Sequence, residues 1–178
     1  TSAMAGSTYN FKALSILLID DAKPMGDLLG SILKELGVGK IQVHVDAKKS
    51  MELLDSIAQM QTAGTPMVDI VISDWRMEPI SGIDFLKWIR NHQSDGIRFM
   101  PFIMLTAYSD HARVMAARDA GANEVLAKPV SVHNLVRRLL SVIENPRPFV
   151  SCPTYFGPDR RRKSIPINFP DRRKQSPT

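Results

Sequence analysis

The run from Val68 to Ser73 is the feature that most constrains the fold of this chain. It is short, almost wholly apolar and rich in β-branched residues, which is typical of a strand buried on both faces of a parallel sheet. The run ends in Asp74, and a loop with Pro79 and Gly82 follows. Because open α/β sheets bind ligands at the carboxyl ends of their strands, Asp74 is a candidate reactive carboxylate. The alternative is that Asp74 only caps the following helix.

Four more strand-sized apolar runs alternate with helical segments along the chain. These runs are residues 14–19, 41–45, 102–105 and 124–127. Apolar side chains recur at helical spacing between the runs, and Ser109 or Asp110 can cap the fourth helix. Five strands alternating with five helices predict an α/β fold, with a doubly wound five-stranded parallel sheet and helices on both faces. We expect the flavodoxin-like strand order 2-1-3-4-5.

Polar side chains follow the strands, and a parallel sheet places the carboxyl ends of its strands at one edge. The residues expected to converge there are Asp20, Asp21, Asp74, Thr106 and Lys128. Asp46 follows the second strand, which is outermost in the expected order, so it should lie outside this cluster. The sequence therefore predicts a site built from residues that are far apart along the chain.

The chemistry of this cluster favours phosphoryl transfer. Carboxylates that lie close together repel one another, and a bound cation relieves the repulsion. An all-oxygen site with few protein ligands suits Mg²⁺, which also binds phosphate oxygens. Thr106 adds a hydroxyl donor and Lys128 a mobile positive charge. A carboxylate nucleophile, a divalent ion, a hydroxyl and an ammonium together form a site that can receive a phosphoryl group.

Each member of the cluster also has a purely structural interpretation. Asp20 and Asp21 could cap the first helix, and Thr106 could bond to its own backbone at the end of a strand. Lys128 could be an ordinary surface lysine. The coincidence of all these residues at one predicted edge favours the functional interpretation.

The composition indicates a globular protein and excludes several other classes. Of the 178 residues, 44% are apolar and 23% are charged, which is ordinary for a folded domain. The single cysteine, Cys152, excludes an internal disulfide and favours a cytoplasmic location. One cysteine and four scattered histidines are too few for a zinc site. We find no apolar run of membrane-spanning length and no secretory signal, so we expect no membrane partner.

The positive charge of the chain is concentrated near its C-terminus. Residues 145–178 contain eight Lys or Arg and two Asp, a net charge of +6, whereas residues 1–144 carry −1. The segment from Pro158 to Lys163 recurs as Pro170 to Lys174. We therefore divide the chain into an N-terminal extension (1–12), a folded domain (13–144) and a Pro/Arg-rich tail (145–178) that we expect to be irregular.

Over residues 13–144 the sequence resembles the receiver domain of two-component response regulators. The residues that carry the resemblance are Ile16 to Asp21, Asp74 to Met77 with Gly82, Leu105 to Ala107, Ala120 to Ala122 and Ala127 to Pro129. The resemblance implies a phosphoacceptor signalling protein, not an enzyme with a separate substrate, although such a domain promotes its own phosphorylation and dephosphorylation. Its phosphodonor would be a sensor histidine kinase or a histidine phosphotransfer protein.

The resemblance also implies a role for each site residue. Asp74 would be the phosphoacceptor, and Thr106 and Lys128 would hold the phosphoryl oxygens. The metal ligands for Mg²⁺, or Mn²⁺ in its place, would be Asp20, Asp21, Asp74 and the backbone carbonyl of Arg76. The peptide bond between Lys128 and Pro129 would be cis, which is uncommon for X-Pro bonds in general.

Several positions depart from the family pattern. Val125 stands where the family often has the Tyr or Phe that couples to the threonine, and Tyr108 is a candidate substitute. Arg76 and Tyr108 occupy the two variable positions that flank the acyl phosphate, so we expect them to modulate its lifetime. Replacing both with small residues should change the dephosphorylation rate. Pro79 lies one residue later than the usual loop proline.

Three functions are compatible with this sequence. The first is a receiver that signals through phosphorylation-dependent protein contacts, using its fourth and fifth predicted helices and its fifth strand, with a homodimer through that face as one form. The second is a receiver whose basic tail binds nucleic acid or an acidic partner, although the few aromatic residues near the basic runs argue against nucleic acid. The third is a structural pseudo-receiver, which the complete acceptor set argues against.

Overall fold

The computed structural model describes residues 9–60, 68–108 and 110–160 of the chain. Four predictions fall wholly or mainly outside these ranges. They concern most of the N-terminal extension, the helix break at residues 62–66, capping by Ser109 and the second copy of the tail repeat at residues 170–174.

The five predicted strands form one parallel sheet in the order 2-1-3-4-5, as expected. The strands are β1 (Ser15–Ile19), β2 (Lys40–His44), β3 (Ile70–Asp74), β4 (Phe102–Thr106) and β5 (Glu124–Ala127). Every residue of β1, β3 and β4 is buried, in accord with the nearly continuous apolar character of their sequences. The edge strand β2 is largely half-buried or exposed.

Helices cover both faces of the sheet. They are α1 (Lys23–Glu35), α2 (Ala47–Gln59), α3 (Gly82–Arg90), α4 (Asp95–Arg98), α5 (His111–Ala120) and α6 (Val132–Glu144). The one-turn helix α4 was not expected from the sequence. Leu29 of α1 and Leu135 of α6 share one apolar core, whereas Leu54 of α2 and Phe85 of α3 belong to the core on the other face.

Side-chain caps fix where several helices begin, and so aim the loops at the carboxyl edge of the sheet. The side chains of Asp46, Ser81, Asp110 and Ser131 each accept a hydrogen bond from a backbone N–H in the first turn of the following helix, which satisfies one of the free donors there. Asp46 therefore has a capping role, and it lies outside the acidic cluster as expected. At the other end of α5, Gly121 ends the helix with a positive φ of 103°, which glycine adopts without strain.

The tail is not irregular throughout, so that prediction is wrong for its first part. An antiparallel hairpin forms from β6 (Phe149–Cys152) and β7 (Tyr155–Pro158). Aromatic and β-branched residues on each side of Pro153 and Thr154 provide strand-forming sequences with a two-residue turn between them. The hairpin packs on the loops that precede β4 and β5, where the rings of Phe149 and Phe156 contact Phe99.

Within the described residues, no helix combines the length and apolar character needed to span a bilayer.

Candidate functional site

The predicted site residues meet at the carboxyl edge of the sheet. Asp20 follows β1 directly, Asp74 and Thr106 are the last residues of β3 and β4, and Lys128 follows β5. The strand register brings these ends level, because Asp74 pairs with Leu105 and Thr106 pairs with Ala127. Residues that are distant in sequence therefore line one small volume.

Lys128 joins the two buried carboxylates of the site. Its Nζ lies 2.9 Å from Asp20 Oδ2 and 3.2 Å from Asp74 Oδ1. The peptide bond before Pro129 is cis, as expected from the resemblance, and so is the bond between Glu78 and Pro79. The interpretation of Lys128 as an ordinary surface lysine is wrong, because its side chain is 17% exposed and paired with two carboxylates.

Three carboxylates form a group that fits a divalent cation. One oxygen from each of Asp20, Asp21 and Asp74 lies within 4.8 Å of the others, and a ligand set made only of oxygen suits Mg²⁺. Asp20 is fully buried, whereas Asp21 is exposed. Asp20 Oδ1 also accepts a hydrogen bond from the backbone N–H of Ala22 at 2.9 Å, so Asp20 contributes both to the start of α1 and to the acidic group.

The charges of the site shift its pKa values in ways that matter for phosphorylation. Burial raises the pKa of Asp74, the Lys128 ammonium opposes this increase, and the charge of Asp20 adds to it, so that the net pKa of Asp74 is raised. Burial acts to lower the pKa of Lys128, but hydrogen bonding to Asp20 and the charge of Asp74 outweigh burial and raise it. Lys128 is therefore protonated at neutral pH and partly offsets the acidic group.

Thr106 is bonded locally in this conformation. Its side chain donates to the backbone oxygen of Tyr108 at 2.9 Å and accepts from the N–H of Tyr108 at 3.1 Å. The predicted local bonding of a threonine at a strand end is thus present. Thr106 is 1% exposed and lies beside the site, so the same hydroxyl is also in place for a ligand.

The expected modulating residues surround this volume. Arg76 is exposed and lines a cavity of about 400 Å³ together with Asp21 and Glu78. Val125 is buried and has no ring that could switch position, while the Tyr108 side chain, which is 48% exposed, lies two residues after Thr106. The roles assigned to these residues, including that of the Arg76 carbonyl, stay predictions.

A cation stacked between two aromatic rings was missed in the sequence. The Arg113 guanidinium lies 4.6 Å from the ring centre of Tyr108 and 5.8 Å from that of Trp75. A sequence signal exists, because Trp75 follows Asp74 directly and Arg113 is a cation in the first turn of a helix, where the helix dipole disfavours positive charge. The pairing itself depends on the tertiary structure.

Comparisons with known proteins agree with this geometry. Residues 16–140 match the family model described as response regulator receiver domain. The probable chemotaxis protein CheY of Rhizobium etli is 31% identical over 122 residues, covering 68% of this chain and 86% of the relative. Chemotaxis protein CheY-3 of Vibrio cholerae is 28% identical over 133 residues, covering 75% and 94%.

A solved structure shows the same fold. The putative response regulator from Chloroflexus aurantiacus superimposes with a TM-score of 0.63 at 26% identity, covering 74% of this chain and 98% of that chain. The family match ends at residue 140, before the hairpin, which begins at Phe149.

Proposed function

This chain belongs to the response regulator receiver domain family, and we propose that Asp74 is its phosphoacceptor. Receiver domains are phosphoacceptor signalling modules, and the donor proposed here is a phosphohistidine of a sensor kinase or a histidine phosphotransfer protein. The observation that carries the proposal is the convergence of Asp20, Asp21, Asp74 and Lys128 within hydrogen-bonding or metal-binding distance. Such convergence of side chains from three strand ends is what positioned phosphoryl transfer requires.

The geometry suggests which oxygen of Asp74 reacts. Its Oδ1 accepts from the backbone N–H of Trp75 at 2.9 Å and lies 3.2 Å from Lys128 Nζ, so we assign the attack to Oδ2. That oxygen attacks the phosphorus, the bond from phosphorus to the imidazole nitrogen breaks, and the histidine leaves with the electron pair of that bond. The product is an acyl phosphate on Asp74, whose new charge faces the Lys128 ammonium.

The acidic group would hold Mg²⁺ during this step. Asp20, Asp21 and Asp74 would be its side-chain ligands, with the backbone carbonyl of Arg76 as a fourth. The ion would neutralise charge on the transferring phosphoryl group. Lys128 contributes in the same direction from the opposite side of Asp74, while Thr106 offers a hydroxyl donor.

The output of the domain would be a phosphorylation-dependent contact with a downstream protein. Family resemblance places this contact on α5, β5 and α6, and homodimerisation would use the same face. The exposed side chains of Arg76 and Tyr108 would set the lifetime of the acyl phosphate by controlling the access of water. The alternative, in which the basic tail binds nucleic acid or an acidic partner, concerns mainly residues 161–178, which lie outside the described ranges.

Phosphorylation of the intact protein tests the proposal. Wild type, Asp74→Asn and Asp84→Asn are incubated with acetyl phosphate and Mg²⁺ and then weighed by intact-protein mass spectrometry. Asp84 is an exposed aspartate on α3, which makes it the matched control. We expect one phosphoryl group on wild type and on Asp84→Asn, and none on Asp74→Asn or when EDTA removes the metal. Equal labelling of Asp74→Asn would refute the assignment.

A further inference from the structure

The residue that follows the phosphoacceptor and the loop that follows Thr106 are joined by one side chain. Arg113 lies on α5, and its guanidinium contacts the face of Tyr108 at 4.6 Å and that of Trp75 at 5.8 Å. Both distances are within the range of cation–π attraction. The stack of Trp75, Arg113 and Tyr108 thus connects the β3–α3 loop, the β4–α5 loop and the first turn of α5.

Arg113 is held in this place although its position opposes the helix dipole. A cation in the first turn of a helix is disfavoured, and Arg113 is the third residue of α5. Asp110 compensates, because its Oδ1 accepts from the Arg113 backbone N–H at 2.9 Å and its Oδ2 lies 3.6 Å from Arg113 Nε. The two aromatic faces supply the remaining attraction, so the stack overrides an unfavourable local preference.

Thr106 connects this stack to the site. A threonine hydroxyl has a single proton to donate, and here Thr106 donates it to the backbone oxygen of Tyr108 at 2.9 Å. A phosphoryl group on Asp74 would compete for that proton with three strongly accepting oxygens. When Thr106 turns to the phosphoryl group, Tyr108 loses the bond that fixes its backbone, and its ring can move relative to Arg113.

We propose that Arg113 is a positioning residue that couples phosphorylation of Asp74 to the first turn of α5 through the faces of Tyr108 and Trp75. This inference rests on the proposed function, since it needs a phosphoryl group on Asp74. It assigns the coupling to a cation between two rings, at a place where Val125 provides no aromatic switch. Arg113 touches neither Asp74 nor the acidic group in the described contacts, so its replacement should spare phosphorylation itself.

The test separates phosphorylation from coupling. Wild type, Arg113→Ala, Arg113→Lys and the control Arg137→Ala, which alters an exposed arginine on α6, are first labelled with acetyl phosphate and weighed. Hydrogen exchange of residues 108–120 is then compared with and without beryllofluoride, a phosphoryl mimic, in the presence of Mg²⁺. The fluorescence of Trp75, measured in a Trp88→Phe background, gives a second signal from the stack.

We expect equal labelling of all four proteins and a beryllofluoride-induced change in exchange in wild type, Arg113→Lys and Arg137→Ala. In Arg113→Ala this change should fall by about fivefold, the equilibrium ratio that corresponds to one exposed cation–π contact. If Arg113→Ala does not fold, Arg113→Gln takes its place.

Two results would overturn the inference while leaving the proposed function intact. One is a change in Arg113→Ala, or in its Gln replacement, as large as that in wild type. The other is loss of the change in Arg113→Lys, since a lysine keeps the cation over the rings. Failure of wild type to accept any phosphoryl group would overturn the proposed function together with the inference.

Discussion

The two edges of the sheet are built on opposite principles. At the carboxyl edge, three carboxylates lie within 4.8 Å of one another, and a single ammonium contacts two of them. At the amino edge, the hairpin packs aromatic rings around a buried cation, Arg90, whose partners are all neutral oxygens. The carboxyl edge accepts repulsion in order to bind a ligand, whereas the amino edge stabilises the fold and extends it beyond the family match.

Arg90 shows how the amino edge is satisfied. It is 3% exposed, and its guanidinium lies 5.0 Å from the ring centre of Phe149. Its acceptors are the backbone oxygens of Gly121, Arg98 and Met100 and the side chain of Asn123, at 2.7 to 3.0 Å. Burial lowers the pKa of Arg90 to about 9, which leaves it charged at neutral pH. Arg90 therefore holds the loops before β4 and β5 in the positions on which the hairpin packs.

The largest effect that the comparison predicts is the loss of Arg90. Arg90→Ala removes the only donors that these buried oxygens share, and unsatisfied buried acceptors are costly. We expect the free energy of unfolding, measured in urea, to fall by about 3 kcal/mol. Labelling of Asp74 in the fraction that stays folded should be unchanged, because the two edges are separated by the length of the strands.

The control for this prediction is Lys87→Ala, which truncates an exposed cation on the same helix. Its effect should stay within about 0.5 kcal/mol. A loss of phosphorylation in folded Arg90→Ala would contradict the separation of the two edges, and a loss of stability no greater than that of the control would contradict the role given to Arg90.

A smaller loss of stability is expected at the point where the hairpin backbone meets the domain. A Cβ at Gly157 would lie 2.8 Å from the Cα of Gly121 and 2.6 Å from the hydroxyl oxygen of Tyr155. Gly157→Ala must therefore displace the hairpin or the loop, at about 2 kcal/mol, measured by thermal unfolding. Ser151→Ala, an exposed change in β6, is the control. Equal midpoints for the two variants would show that the hairpin is loosely attached.

The same contrast explains what the sequence could predict. Apolar runs and their spacing predicted the strand order, the helices and the convergence at the carboxyl edge, because a parallel sheet aligns its strand ends whatever the details of side-chain packing. Asp20, Asp74 and Lys128 could thus be paired before any coordinates were known. The roles of Arg76, Tyr108 and Val125 came from family resemblance, and they stay predictions.

The hairpin was missed because its stability comes from tertiary contacts. Prolines and arginines around residues 145–160 are typical of an irregular tail, and a lone two-stranded hairpin is marginal in water. The packing of Phe149 and Phe156 on Phe99 supplies the missing stability. No period in the sequence connects Phe99 with residues 50 to 57 positions later, so local patterns could not show this contact.

Neutralising Asp74 should stabilise the protein, in contrast to changes at the amino edge. Burial and the charge of Asp20 raise the pKa of Asp74 against the effect of Lys128, so ionised Asp74 weighs against the folded state at neutral pH. Asp74→Asn removes that penalty, and we expect the free energy of unfolding to rise by about 1 kcal/mol at pH 7 in EDTA.

The pH dependence gives the sign check for this prediction. A raised pKa means that folded Asp74 binds a proton more tightly than unfolded Asp74 does, so the wild-type penalty disappears as the pH falls through the folded pKa. The advantage of Asp74→Asn should therefore be greatest near neutral pH and shrink toward the ordinary aspartate pKa of about 3.9. A gap that widens on acidification would contradict the assignment of the strain to Asp74.

The smallest effect on the free protein is expected at Asp21, the exposed member of the acidic group. Asp21→Ala should change the free energy of unfolding by less than about 0.5 kcal/mol in EDTA, because an exposed carboxylate contributes little. Mg²⁺ at ten times its dissociation constant should stabilise wild type by about 1.4 kcal/mol, and Asp21→Ala should lose most of that gain. Asp27→Ala, which removes an exposed carboxylate on α1, should keep it. If Asp21→Ala is stabilised by Mg²⁺ as strongly as wild type, the ion is held elsewhere, and the contrast between a ligand-binding edge and a self-satisfied edge loses its basis.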